Sequence, residues 1–347
     1  MSKAKNKYWI LISICLIFIV TLLVGSFIFN NILESDIPQT LLEHDDSGRI
    51  VGSAPFSPSL EFPFGTDRDG YDMFFKVLDG AQYTLGTAIM ISLLSFSIAF
   101  IFGVLGGFMS SSIKIFTQNI FTSFYFIPQS IIAYNILYPL LWEPPEGFVL
   151  SFTERIIWQS ITLAIITVPT TAILISNEVK QIVQKEFIVS ARVLGGSQWF
   201  LLRKHILPHL KLRLFIVFPK ITIQLLLIIA HLGFFQLFFG GTDVCYGPFC
   251  DPPKPIVQEW AGIMAMNFNE LFNAWWIFMV PMTFFALTIL SLNGITKGLE
   301  NLLEDSNQQG SPIGFNHDIR INANQKETPE SGFEFVESND WNEKKSL

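Results

Sequence analysis

The residues in this chain whose types and spacing suit chemistry are few, and most suit contact better than catalysis. The five histidines are scattered, and there is no G-x-x-x-x-G-K-[ST] phosphate loop, G-x-S-x-G elbow, H-E-x-x-H pair or paired C-x-x-C. Without a phosphate loop the chain is not expected to hydrolyse ATP itself, and no metal site or bound cofactor is expected. His231 sits within an apolar run, where an ionisable group is either functional or a neutral imidazole bonded to a neighbouring helix; the lack of a carboxylate nearby in sequence favours the second. Asp67-Arg68-Asp69-Gly70-Tyr71-Asp72 superficially matches a calcium loop but lacks its ligand series and closing glutamate. A turn about Gly70 leading into a short amphipathic helix, Met73–Tyr83, is the expectation instead. Cys245 and Cys250 bracket Tyr-Gly-Pro-Phe. In an oxidising space this pair closes a small disulfide ring, with two free thiols as the alternative.

The most informative stretch is a polar, basic and amphipathic island, Asn177–Arg213, between apolar runs. Two helices are expected in it, Glu178–Ser190 and Gln198–Lys204, separated by Gly195-Gly196-Ser197. A glycine pair after a helical turn supplies the left-handed backbone that ends a helix, and Pro208 restricts the residues before it, so the second helix should stop there. Val183, Phe187, Val189, Ala191 and Leu194 are expected to form the apolar face of the first helix. Such a helix–glycine–helix suits a groove on a soluble partner or the lipid surface.

The elements that must hold this island are set by composition. Half the residues are hydrophobic, 15% are charged, and 35 are phenylalanine; soluble domains carry about 25% charged residues. A helix needs ~20 apolar residues to cross the hydrocarbon core. Six spans are expected: Tyr8–Phe29, read as an uncleaved signal-anchor because it reaches spanning length without a convincing cleavage site; Leu85–Met109; Ile115–Trp142, bent near Pro128; Ile156–Ser176; Leu214–Phe239; and Leu271–Leu292. In lipid the backbone must bond within each segment, so the fold class is an all-α membrane protein, a six-span transmembrane bundle with the island as a helix–loop–helix between the fourth and fifth spans. Pro128, Pro169 and Pro219 free carbonyls that neighbouring helices must cover, which favours a packed bundle. The domain reading is 1–30 stub and anchor, 31–84 extracellular segment, 85–297 core with coupling loop 177–213, and 298–347 acidic disordered tail.

Lysine and arginine set the orientation. With both termini cytoplasmic, Lys180, Lys185, Arg192, Arg203, Lys204, Lys211 and Arg213 of the island fall inside, along with Lys114 and Lys297. Trp142, Trp158, Trp260, Trp275 and Trp276 then lie near the outer ends, as interfacial aromatics do. The net charge of -7 comes from the tail and the segment around Glu34–Asp72. Phe333, Phe335, Val336 and Trp341 in the tail suit either a docking motif or, more simply, a solvated end. Cys15, inside the first run, is expected to be inert packing.

These residues meet a family pattern. The island resembles the cytoplasmic loop of ABC importer permeases, an E-A-A triplet, a glycine three residues later, then I-x-L-P. Val189-Ser190-Ala191 stands at the triplet, with Val189 in place of the glutamate, Gly195 at the glycine, and His205-Ile206-Leu207-Pro208 at the end. The leading histidine is typical of the peptide and nickel branch. Phe62-Pro63-Phe64-Gly65-Thr66-Asp67 with Gly70-Tyr71-Asp72 is similar to that branch's H-P-F-G-T-D-x-x-G-R-D. Asp79-Gly80-Ala81-Gln82-Tyr83-Thr84-Leu85 resembles its G-A-R-x-S-L. Pro252-Pro253-Lys254-Pro255 with Glu259-Trp260-Ala261-Gly262-Ile263-Met264 resembles its P-P-x-P-x-W-G-x-M-L. The resemblance covers about Tyr8–Leu299. Ser110-Ser111-Ser112-Ile113-Lys114 departs from the Asp and Arg usual after the second span, and the two-cysteine loop and acidic tail look foreign to the family core.

The resemblance implies the second-type permease subunit of a peptide-class importer in a bacterial plasma membrane. Its partners would be a related permease in a heterodimer, two cytosolic ATPases that use the ATP, an extracellular solute-binding protein and membrane lipid; no nucleic acid is implied. Ser190, Ala191 and Gly195 are the expected ATPase contacts, and Leu207 and Pro208 fix the return into the fifth span. The runner-up is uptake of nickel or a metal chelate by the same architecture. A transport-inactive scaffold or sensor is a further alternative, motivated by Val189 and the tail. An ion-coupled carrier ranks last, because no paired intramembrane carboxylates are visible.

Overall fold

The computed structural model describes residues 2–32, 36–44, 49–108 and 127–309. The chain forms a compact unit through Ser306, built almost wholly from helices. Among the described residues five helical stretches are long and apolar enough to span: Asn6–Asn31, Met73–Phe108, Phe152–Val183, Gln198–Phe234 and Trp275–Asp305. The expected third span lies partly outside the described residues; what is described of it is helix Gln129–Leu141, ~20 Å long at 1.5 Å per residue. Pro128 begins that helix as its N-cap instead of bending it. The turn after the second span (Ser110–Lys114) and the aromatic residues of the acidic tail also lie outside the described residues.

In chain order the elements are α1 (Ser2–Asn31), the exposed hairpin β1 (Leu42–His44) and β2 (Ile50–Ser53), α2 (Met73–Ala81), α3 (Thr87–Phe108), α4 (Gln129–Leu141), α5 (Phe152–Val183), α6 (Glu186–Val193), α7 (Gln198–Leu201), α8 (Leu207–Phe234), the two-residue pair β3 (Thr242–Asp243) and β4 (Lys254–Pro255), α9 (Trp260–Met266) and α10 (Trp275–Gln309). A π turn, Gln82–Gly86, joins α2 to α3 without a break. The short amphipathic helix expected before the second span is therefore the beginning of that span.

α3 and α5 make the central packing. A Cβ on Gly103 would come 2.6 Å from Ile175 Cβ, so the backbones approach more closely than larger residues allow. The Ser95 and Thr167 hydroxyls meet at 2.7 Å between the two helices. Pro169 lies in the middle of α5 and has no N–H for the Ile165 carbonyl; in the same turn the Gln129 amide of α4 donates to the Ile166 carbonyl at 3.4 Å, so a neighbouring helix brings a polar group to the proline turn. α1 lies along α10: Cys15 Sγ and Ile12 fill the space a Cβ would need at Gly294 and Gly298.

One end of the bundle is assembled from the family-like motifs. Asp67 orders the turn about Gly70: its Oδ1 accepts from Tyr71 N at 2.8 Å and its Oδ2 pairs with buried Lys76 Nζ at 2.5 Å. Gly70 has φ +79°, and a Cβ there would strike the Thr40 carbonyl. Asp72 caps α2, accepting from Phe74 N and Phe75 N, which satisfies amides a helix start leaves bare. The Asp67 and Asp72 carboxylates thus have structural jobs, and Asp69 contributes its backbone carbonyl, which accepts from Gln39 Nε2 at 2.7 Å. The second and third motifs meet here too: Trp260 N donates to Thr84 Oγ1 at 2.9 Å, and a Cβ on Gly80 would strike the Gln258 carbonyl.

Two tryptophans expected at the membrane surface are instead clamps. Trp260 is fully buried and its indole donates to Val77 O at 2.8 Å; buried Trp276 donates to Thr66 O at 3.0 Å. Trp158 and Trp275 are exposed. Residues expected to open the tail at 298 are helical instead, because α10 runs on to Gln309, with Lys220 Nζ of α8 bonded to Glu300 Oε1 at 2.7 Å.

Candidate coupling site

The island folds as an elbow at the end of the bundle opposite the motif cluster. The first expected helix is two. α5 runs on to Val183, a break falls at Gln184–Lys185, and α6 follows. Leu194 to Gly196 turn the chain: Leu194 N donates to Ser190 O, Gly195 N to Arg192 O at 3.0 Å and Gly196 N to Ala191 O at 3.1 Å. Gly195 has φ +89° with nothing near its missing Cβ, so glycine is needed there for backbone conformation and not for room. At Gly196 the constraint is space, since a Cβ would lie 2.8 Å from Ala191 O. Ser197 then caps α7 by accepting from Phe200 N.

Pro208 does not stop the helix. A π turn, Leu202–Ile206, leads from α7 straight into α8, with Leu207 N bonded to Leu202 O and Pro208 in the first turn. Proline lacks an N–H and crowds the carbonyl four residues back; that carbonyl, of Lys204, sits in the widened turn, which removes both problems. π bulges of this kind recur at functional sites.

Ser190, Ala191 and Gly195 therefore share one turn of the elbow, while Leu207 and Pro208 lie on its returning stem. The inward side is not the face expected. Ile188, Leu201 and Ile206 are fully buried and anchor the elbow to the bundle, whereas Val189 and Leu194 point out. Each buried residue has apolar neighbours in sequence, Phe187 and Val189, Phe200 and Leu202, or Leu207, so the pattern does not mark which of them turns inward. Val193, Leu194 and Trp199 are the most exposed apolar residues of the tip, at 82%, 88% and 69%. Lys185, Arg192, Arg203 and Lys204 are exposed around them. Phe187 packs against the His205 and His209 rings, 6.3 and 5.1 Å between centroids, tying α6 to the return. Arg213 clamps the two stems, donating to Glu178 and, at 2.8 Å, to Gln181; partners over thirty residues apart leave no local sequence trace. The elbow is a braced surface with a greasy, basic-rimmed tip and no group placed for covalent chemistry.

Elsewhere, Cys245 and Cys250 are joined as a disulfide with Cα atoms 5.4 Å apart, in the connection between α8 and α9. His231 is exposed on α8, not enclosed against a neighbouring helix. Buried Glu259, also in that connection and outside the spanning helices, accepts from Ala261 N at 2.9 Å, yet its Oε1 has no partner among the described residues; burial pushes its pKa up to about 7.

A bundle of long apolar helices with a basic-rimmed elbow at one end defines a polytopic helical membrane subunit. The chain belongs to the family described as binding-protein-dependent transport system inner membrane component, whose model matches residues 99–306. Its curated relatives place it in the peptide branch of the ABC importer permeases. It is 25% identical over 251 residues to the dipeptide transport system permease protein DppC of Bacillus subtilis (strain 168), covering 71% of this chain and 69% of the relative. The peptide transport system permease protein SapC of Haemophilus influenzae is 24% identical, covering 75% of this chain and 82% of that protein. The probable D,D-dipeptide transport system permease protein DdpC of Escherichia coli (strain K12) is 24% identical, covering 76% and 80%.

Proposed function

We propose that this chain is the membrane-spanning permease of an ATP-driven importer of dipeptides or oligopeptides. Hydrolysis takes place in two separate cytosolic ATPase subunits, a related permease completes the pathway, and a solute-binding protein delivers the peptide from outside. The observation that carries this reading is the braced elbow. Ser190, Ala191 and Gly195 sit on a turn beside the exposed Val193, Leu194 and Trp199, a shape that fits a groove on another protein. The Arg213 clamp and the helix continuous through Pro208 support force transfer from that turn into α8. ATPase closure would push the elbow as a lever, and the bundle would alternate between outward and inward access. With this placement both termini and the elbow face the cytoplasm.

Affinity purification of the tagged chain tests this reading. The expected result is co-purification of ATPases whose hydrolysis in proteoliposomes rises with loaded binding protein and drives uptake of labelled peptide. A chain that brings down no ATPase, or an assembly that takes up a nickel chelate and no peptide, would overturn it.

A further inference from the structure

On α3 and α10 the exposed mid-span positions are apolar or carry a hydroxyl bonded back to their own helix. They include Leu93, Ile101 and Leu105 on α3, with Ser97 Oγ donating to Leu93 O, and Met282, Leu287 and Leu290 on α10, with Thr283 Oγ1 donating to Met279 O and Asn293 as a longer polar interruption. α8 differs. Lys220, Gln224, Leu227 and His231 recur at spacings of four, three and four, which puts them on one side of the helix, and Lys220, Leu227 and His231 are exposed with Gln224 half-buried. The row runs ~16 Å along the axis at 1.5 Å per residue, about half of a ~30 Å hydrocarbon core.

α4 continues the same face. Gln224 Nε2 donates to Gln129 Oε1 at 2.5 Å and to Thr170 Oγ1 of α5 at 3.3 Å, so three helices bring polar side chains to one point. Further along, the Tyr134 ring of α4 meets Phe235 with centroids 5.4 Å apart, and Asn135 and Tyr138 are exposed beside it. Polar and ionisable groups at this depth are costly against lipid tails and face a bundle interior or a watery cavity instead.

We propose that the shared α4–α8 face lines the solute path, and that the Gln224–Gln129–Thr170 cluster is a hydrogen-bonding station for a peptide backbone. The inference rests on the reading of the chain as a peptide importer permease. Gln224 uses its amide nitrogen in both bonds, which leaves its carbonyl oxygen for a peptide N–H. A peptide offers a donor and an acceptor at every residue, and side-chain amides answer both while tolerating any side chain. The α3 face and the Met282–Leu290 stretch of α10 stay against lipid, whereas Glu300 of α10 meets Lys220 at the end of the row.

The test is cysteine accessibility in the assembled importer, co-purified on the tagged chain and reconstituted, with Cys15 replaced by alanine. Gln224→Cys, Leu227→Cys and Asn135→Cys are compared with Leu93→Cys and Leu290→Cys, using a charged methanethiosulfonate that reacts in water. The expected result is labelling at least ten-fold faster on the α4–α8 face than at the lipid-side controls, with protection of Gln224→Cys by a transported peptide. Equal rates on the two faces would overturn the proposal, and three face positions keep it testable if one variant fails to assemble. Labelling needs no uptake. An importer that moves no peptide yet labels this face would sink the cargo reading and keep the path, whereas peptide uptake with an unlabelled face would do the reverse.

Discussion

Substitution of Gly195 separates a lever from a mere contact. The residue holds φ +89°, and no atom lies within 4 Å of where a Cβ would be. A side chain there meets no obstacle within the chain, so its whole cost is the left-handed backbone, about 1–2 kcal/mol for an L-residue. Valine, β-branched and stiff, sits at the top of that range, and ~2 kcal/mol lowers the share of elbows in the native shape by roughly 30-fold. Alanine, at ~1 kcal/mol, costs roughly 5-fold, and asparagine, which visits this region readily, costs least. Uptake of labelled peptide and phosphate release should be measured together in the same proteoliposomes. Peptide moved per ATP is expected to fall in the order Gly, Asn, Ala, Val while hydrolysis persists. Equal coupling in Gly195→Val would refute the lever. Asparagine worse than alanine would show that side-chain volume against the partner, not backbone shape, sets the effect.

Three further outcomes follow from the buried polar groups and one strained residue. Lys76→Met leaves the Asp67 carboxylate buried without its cation and should cost about 3–5 kcal/mol in a denaturation series; adding Asp67→Asn, which keeps the acceptor for Tyr71 N–H, should recover part of that loss. Glu259 has a folded pKa near 7 against an ordinary 4.5. The folded state holds the proton more tightly, so stability should fall as pH rises from about 4.5 to about 7 and level off above; Glu259→Gln should flatten this dependence, worth about 3 kcal/mol at most, as read by melting midpoint against pH. Gln236, just past the end of α8, holds φ +60°, and Gln236→Gly should relieve about 1 kcal/mol of left-handed strain and raise the melting midpoint.

Much of the architecture was legible because apolar runs of spanning length leave few alternatives. The elbow was legible from Gly195-Gly196 between amphipathic segments, and the turn at Gly70 from its glycine and acidic neighbours. What could not be read depends on partners distant in sequence or on register changes without a residue code. Nothing local marks Arg213 as the clamp on Glu178, or Trp260 as reaching Val77. The π turns at Gln82–Gly86 and Leu202–Ile206 erase two boundaries that proline and amphipathicity suggested. The inward face of the elbow differs from the expected one because Phe187, Ile188 and Val189 are consecutive apolar residues and nothing in the sequence marks Ile188 as the buried one. Gln224 was recognisable only as a polar residue in a span; its meeting with Gln129 requires three helices in place.

The indoles of Trp260 and Trp276 hold the end of the bundle away from the elbow. One fastens the α9 segment to α2, the other fastens the start of α10 to the turn before α2. Riveted in this way, that end resembles a solid plate more than a set of hinged leaves. If a mouth opens at that end, the segments these two indoles join are expected to travel as one piece.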